Sequence, residues 1–126
     1  MKKVLIVIAD YYEDISSLLL KSAKNNLNNF SLKVIRVPGV FEIPITISKN
    51  IKKYAAFLAL ACVIKGETPH FDFISSASTQ AIMNLAVESK KPIGNGIITC
   101  LNMKQAKARG KKGKEAAKAV ISVLSQ

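Results

Sequence analysis

Phe57-Leu58-Ala59-Leu60-Ala61-Cys62-Val63-Ile64-Lys65-Gly66-Glu67-Thr68-Pro69-His70-Phe71-Asp72-Phe73 is the stretch that decides the fold. Phe57 to Ile64 is an unbroken apolar run, which fits a strand buried on both faces. The run breaks at Gly66. Thr68 followed by Pro69 has the form of a helix N-cap with proline at the first helical position. Behind it Ile74, Ala77, Ala81, Ile82 and Leu85 recur at helical spacing, predicting a helix to near Ser89. In a strand–turn–helix unit the backbone N–H groups of Glu67 and Thr68, with the free donors of the first helical turn, can converge on an anion at the positive end of the dipole. His70, the only histidine in the chain, sits beside them. A proton carrier next to an anion cradle suggests chemistry on a phosphorylated or acidic small molecule. The plainer alternative is a helix start with a solvated histidine.

On the N-terminal side, residues 2–9 are rich in Val and Ile and predict a first strand. Asp10 to Asp14 form a turn with Asp14 as the N-cap, and Ile15, Leu18, Leu19, Ala23 and Leu27 mark the buried face of a helix to about Asn29. Leu32 to Val37 is a second strand, ended by Pro38-Gly39. A second helix is expected from about Phe41 to Lys53, beginning with Glu42 and carrying Pro44 in its first turn. Pro92 to Thr99 is a fourth strand. A last helix starts near Met103, is weakened by Gly110 and Gly113, and recovers through Ala116, Val120, Val123 and Leu124. Four alternations of strand and helix imply an α/β fold: a parallel sheet, right-handed crossovers and helices on both faces. Ligands of such folds bind beyond the carboxyl ends of the strands. Turns 10–14, 38–42 and 65–70, and the segment after the fourth strand, all lie there and are expected to face one crevice.

With 126 residues and 49% apolar content, one compact domain is expected, with a substantial core. No segment approaches the ~20 apolar residues needed to span a bilayer. The opening run Val4 to Ala9 meets Asp10 too early for a signal peptide. Cys62 and Cys100 show no metal-ligand spacing and are expected to be core thiols of a reducing, cytoplasmic compartment. The net charge of +11 comes mostly from lysine, concentrated at 49–53, 90–91 and 104–118. Such a surface raises encounter rates with phosphorylated substrates and with nucleic acid. The run 104–118 lacks interleaved aromatics, and the chain has only two arginines. Both facts weigh against the rival reading of a basic RNA-binding module.

Together the loops offer Tyr11 and Tyr12 as stacking faces, the turn Val37-Pro38-Gly39-Val40-Phe41-Glu42-Ile43-Pro44 with its carboxylate, the anion cradle with His70, and Arg109 with Lys111, Lys112 and Lys114. At this point the sequence resembles the lumazine synthase family of riboflavin biosynthesis. The resemblance is carried by residues 37–44 and by Val63 to Asp72. It is supported by Tyr11 to Ile15, by Pro92 to Thr99, and by Gln105-Ala106 with Arg109, and it covers essentially the whole chain.

The resemblance implies a three-layer, flavodoxin-like α/β/α sandwich with a four-stranded parallel sheet. It also implies condensation of 5-amino-6-(D-ribitylamino)uracil with 3,4-dihydroxy-2-butanone 4-phosphate, without metal or organic cofactor. By the same analogy Tyr11 stacks on the pyrimidine. Gly39, Val40 and Phe41 bind through the backbone, Glu42 reaches the ribityl hydroxyls, and Cys62, Val63 and Ile64 line the ring pocket. Gly66, Glu67 and Thr68 form the phosphate turn. Arg109 is the phosphate arginine contributed across a subunit boundary, and His70 is the proton-transfer residue. Asn95 stands where many members carry an aromatic from the neighbouring subunit. The segment from Arg109 to Gly113 is shorter than the common pattern, which makes Lys112 the second phosphate cation, with Lys111 as the alternative. The family builds homopentamers, some closing into icosahedral shells, and riboflavin synthase is a candidate partner; no membrane or nucleic-acid partner is expected. A catalytically decayed scaffold is the remaining rival, against which intact His70 and Arg109 argue.

Overall fold

In the computed structural model, residues 1–66 and 70–126 are described, with side chains for all of these except His70 and Phe71. The elements run β1 (Lys3–Ala9), α1 (Glu13–Lys24), β2 (Ser31–Val37), a 3-10 turn (Val40–Glu42), α2 (Ile43–Lys49), β3 (Ala56–Ile64), α3 (His70–Ser89), β4 (Ile93–Cys100), α4 (Met103–Ala108) and α5 (Lys112–Leu124). All strand pairs are parallel, in the order β2-β1-β3-β4. β1 and β3 therefore hold the centre. Val4 to Ile8 and Ala56 to Leu60 are fully buried, as continuous apolar runs in a parallel sheet must be.

The two faces of these strands serve two cores. Val4, Ile6, Ile8, Leu58, Leu60 and Cys62 pack with Ile15, Leu19, Ala116, Ala117 and Val120 of α1 and α5. Leu5, Val7, Phe57, Ala59 and Ala61 pack with Val40, Ile43, Ile47 and Ile82 of α2, α3 and the turn before them. The result is the three-layer α/β/α sandwich expected, of flavodoxin-like kind. Among the described residues no helix is long and apolar enough to cross a membrane.

Several boundaries differ from the sequence expectation. Asp14 does not cap α1; Tyr12 occupies the N-cap without a side-chain bond, and Glu13 and Asp14 lie in the first turn, where carboxylates favour the dipole. The helix ends at Lys24 rather than Asn29, because the run of asparagines turns instead: Asn26 Nδ2 donates to Ser22 O at 2.8 Å. Leu18, expected on the buried face, is 46% exposed. The second helix opens as a 3-10 turn and stops at Lys49. The last helix is broken in two at Arg109 to Lys111, where Gly110 presses on Leu18. The cap formed by Thr68 and Pro69 lies outside the described residues.

Gly113 is helical, in the first turn of α5, and its reason is proximity: a Cβ there would overlap Leu19 O and Ser22 Oγ of α1. Gly113→Ala is therefore expected to lower stability by about 1–3 kcal/mol in urea unfolding, since α5 must lift from α1 to admit one methyl group.

Candidate functional site at the carboxyl ends of β1 and β3

The winding of the sheet reverses between β1 and β3: α1 leads from β1 outward to β2, and the chain then returns to lay β3 on β1's other side. Loops leaving the two strands part there and leave a crevice. A cleft of about 320 Å³ occupies it, lined by Ala9, Tyr11, Tyr12, Gly39, Val40, Cys62, Val63, Ile64 and Ile74.

Each wall has a cause. Ser16 Oγ donates to Ala9 O at 2.9 Å in the interior, pinning the start of α1 to the end of β1. The Asp10 amide reaches Val37 O at 3.4 Å, and Arg36 Nη1 donates to the Asp10 carboxylate at 2.8 and 3.0 Å. The two tyrosines thus leave a fixed strand end. Tyr12 leans on the core while Tyr11 is 75% exposed and meets it edge-on, centroids 4.9 Å apart. Burial first, then the neighbouring Tyr11 and Cys62, raise the Tyr12 phenol above its ordinary pKa.

Val40 is buried and anchors the 38–42 turn. A side chain at Gly39 would come within 3.3 Å of Glu42 Oε1, so the carboxylate bends back over that glycine at the border of the cleft. Phe41 and Glu42 also line a separate groove of about 470 Å³ against α3, with Ile45, Ala77 and Ala81.

Cys62 forms part of the floor. Burial, and behind it Cys100 nearby, push its thiol up to about 12. Cys100 is buried too and lies 4.0 Å from Arg109 Nη1. Arg109 Nη1 donates to Thr99 O at 2.7 Å, so the guanidinium is held against the end of β4. Asn102, whose side chain accepts from the Gln105 amide at 2.9 Å, starts the short α4 that delivers it.

Arg109 does not enter the cleft. With Asn95, Thr99, Lys112 and Glu115 it lines a second cavity of about 410 Å³ on the outer side of β4, an edge strand. There Lys112 Nζ pairs with Glu115 at 3.0 Å, and Asn95 Oδ1 accepts from the Ile97 amide at 3.0 Å. The crevice expected to gather all four loops is thus divided within one chain. Tyr11, Gly39, Val40, Cys62, Val63 and Ile64 come together, Glu42 stands at their margin, and Asn95, Arg109 and Lys112 form a second group.

Gly66 follows β3, where the Lys65 amide extends the ladder to Cys100 O at 2.8 Å. His70 is the first residue of α3. Glu67 and Thr68 lie outside the described residues, as does the His70 side chain. Three lining residues escaped assignment from sequence: Ala9, Tyr12 and Ile74. In the sequence Tyr12 reads only as a stacking face, and Ile74 as an ordinary core position of α3. Among the described residues no group of three His, Cys, Asp or Glu side chains is placed to hold a metal ion.

Comparison with known proteins bears on this arrangement. Residues 1–126 match the family described as 6,7-dimethyl-8-ribityllumazine synthase. Curated proteins of that name are similar over nearly all of the chain. The protein from Rhodopseudomonas palustris is 42% identical, covering 97% of this chain and 83% of the relative. That from Agrobacterium fabrum is 42% identical, covering 96% and 91%. Among solved structures, a 3-dehydroquinate dehydratase-like protein from Bifidobacterium longum matches all of both chains with a TM-score of 0.54. At 14% identity it speaks for the fold alone.

The thiol at the cleft floor has a measurable consequence. Unfolded, Cys62 releases its proton near 9; folded, near 12. Between these values the unfolded chain binds fewer protons, so stability is complete below about pH 9 and falls as pH rises toward 12. The urea midpoint is expected to drop across that window, and to drop less in Cys62→Ala, with a residual slope from Tyr12.

Proposed function

The chain belongs to the 6,7-dimethyl-8-ribityllumazine synthase family, and from that premise we propose a division of labour among its residues. The reaction is the riboflavin-pathway condensation of 5-amino-6-(D-ribitylamino)uracil with 3,4-dihydroxy-2-butanone 4-phosphate. It yields 6,7-dimethyl-8-ribityllumazine, phosphate and water. The chain acts as one domain in the cytoplasm, without a cofactor.

The pyrimidine lies in the cleft at the carboxyl ends of β1 and β3, stacked on Tyr11 and bordered by Cys62, Val63 and Ile64. Backbone groups of Gly39, Val40 and Phe41 hold its polar edge, and Glu42 takes ribityl hydroxyls. The ketone's phosphate is gripped by the turn Gly66, Glu67 and Thr68. Arg109 and Lys112 of a neighbouring subunit, with Asn95 beside them, complete the site. His70 moves protons as the amine and ketone form an imine and phosphate departs, a task imidazole performs near neutral pH. Arginine suits the phosphate because it stays charged and binds in a fork. Holding two substrates in register supplies much of the acceleration, up to ~7–11 kcal/mol in favourable cases.

The observation that carries this reading is the split of the residues between two cavities on one chain. A cation group carried by α4 and α5 beside an edge strand, outside its own cleft, makes sense when it serves a neighbour. The apolar surface of the 3-10 turn, α2 and α3 supports association: Phe41, Ile45, Phe73, Met83 and Val87 are all more than half exposed. We propose a homopentamer, with closure into a larger shell and association with riboflavin synthase as its further possibilities.

Mixing the two substrates with the protein should produce lumazine absorbance; no turnover would sink the proposal. Arg109→Ala should raise KM for the butanone phosphate by about tenfold or more, with little change for the pyrimidine. His70→Ala should lower kcat by at most about a hundredfold, because orientation survives the loss of the imidazole. Light scattering gives the assembly, and a monomer that remains fully active would exclude a shared site.

A further inference from the structure

A cavity of about 540 Å³ lies between α1 and the turn joining α4 to α5, beside the segment that carries Arg109 and Lys112 but lined by neither of them. Its floor is apolar: Leu18, Ala108 and Gly110. Its rim is basic: Lys21, Lys107, Lys111 and Lys114. We propose that this groove docks an acidic, amphipathic peptide segment of a partner protein, one apolar side chain seating on Leu18 and flanking carboxylates meeting the lysines.

The charge pattern selects the partner. No acidic residue lines the groove, and the two ion pairs among the described residues, Arg36–Asp10 and Lys112–Glu115, involve none of its lysines. Lys111 and Lys114 stand at the start of α5, the positive end of its dipole, where cations repel the helix. A carboxylate-bearing partner relieves that repulsion.

Other occupants fit less well. The Gly110 and Lys114 amides already donate to Lys107 O and Lys111 O and are not available to a compact phosphate. No aromatic or arginine side chain lines the groove to stack nucleobases. A second copy of this chain is poorly matched, with 8 acidic residues against 19 basic ones. Leu18 remains the decisive feature. A leucine left 46% exposed in the middle of a lysine cluster calls for an apolar contact that a purely ionic partner does not provide.

The proposal is independent of the condensation reaction and is tested without it. A fluorescein-labelled peptide of glutamate and leucine, patterned as an amphipathic helix, is titrated with the intact protein and followed by anisotropy. Saturable binding is expected, weakened about tenfold by Lys21→Glu with Lys107→Glu, and about fivefold by Leu18→Asn. The pair Lys52→Glu with Lys53→Glu makes the same charge change at exposed positions on the opposite side of the sheet and should shift binding by less than about twofold. Absence of saturable binding, equal losses in the two lysine pairs, or an unaffected affinity in Leu18→Asn would overturn the proposal. Preferential binding of polyuridylate over the peptide would replace it with an RNA site. Melting curves check folding; should Leu18→Asn unfold, the two lysine pairs decide alone.

Discussion

The burial of β1 and β3 on both faces is the constraint from which the rest of this molecule follows. Two central strands without a polar residue in their interiors cannot meet water on either side. Helices must therefore cover both, and the chain must wind outward in opposite directions from the centre. That reversal leaves a gap at the carboxyl ends of the two strands. The cleft is thus a by-product of satisfying the sheet, and its floor is made of the last residues of the same strands that form the core.

A parallel sheet of four strands also has two edges, and this protein treats them differently. β2 carries the charges Lys33 and Arg36, which suit an open edge. β4 instead carries glycines at 94 and 96 because α5 and β3 lie so close that a Cβ would strike Ala116 and Leu60. Its outer side is left to Asn95, Thr99 and the cations delivered by α4 and α5. Between this cavity and the cleft stand Cys62 and Cys100, two buried thiols at the ends of adjacent strands. One borders the cleft and the other lies 4.0 Å from Arg109 Nη1, and the ladder that pairs Val63 with Thr99 joins the two groups within a subunit.

The break in the last helix has more consequences than its length suggests. Gly110 and Gly113 let the chain fold down on Leu18, Leu19 and Ser22, bringing α5 onto α1 and presenting Arg109 at the end of α4. The same descent opens the basic groove beside Leu18. One turn of irregular backbone therefore sets both the position of the arginine and the shape of the basic groove.

The sequence by itself determined the element types and the parallel sheet, because continuous apolar runs and 3.6-residue periodicity report local burial directly. Its motifs also identified the family, and the resemblance they carry pointed to Tyr11, Gly39, Val40 and Cys62 to Ile64, which line one cleft. Other features depended on which surfaces meet in space. The strand order, the exposure of Leu18, the split of the last helix, the entry of Tyr12 and Ile74 into the cleft, and the separation of Arg109 and Lys112 from it were decided only by the tertiary structure. Each turns on long-range packing between segments far apart in the chain, and periodicity within one segment carries no information about the neighbour that will cover it.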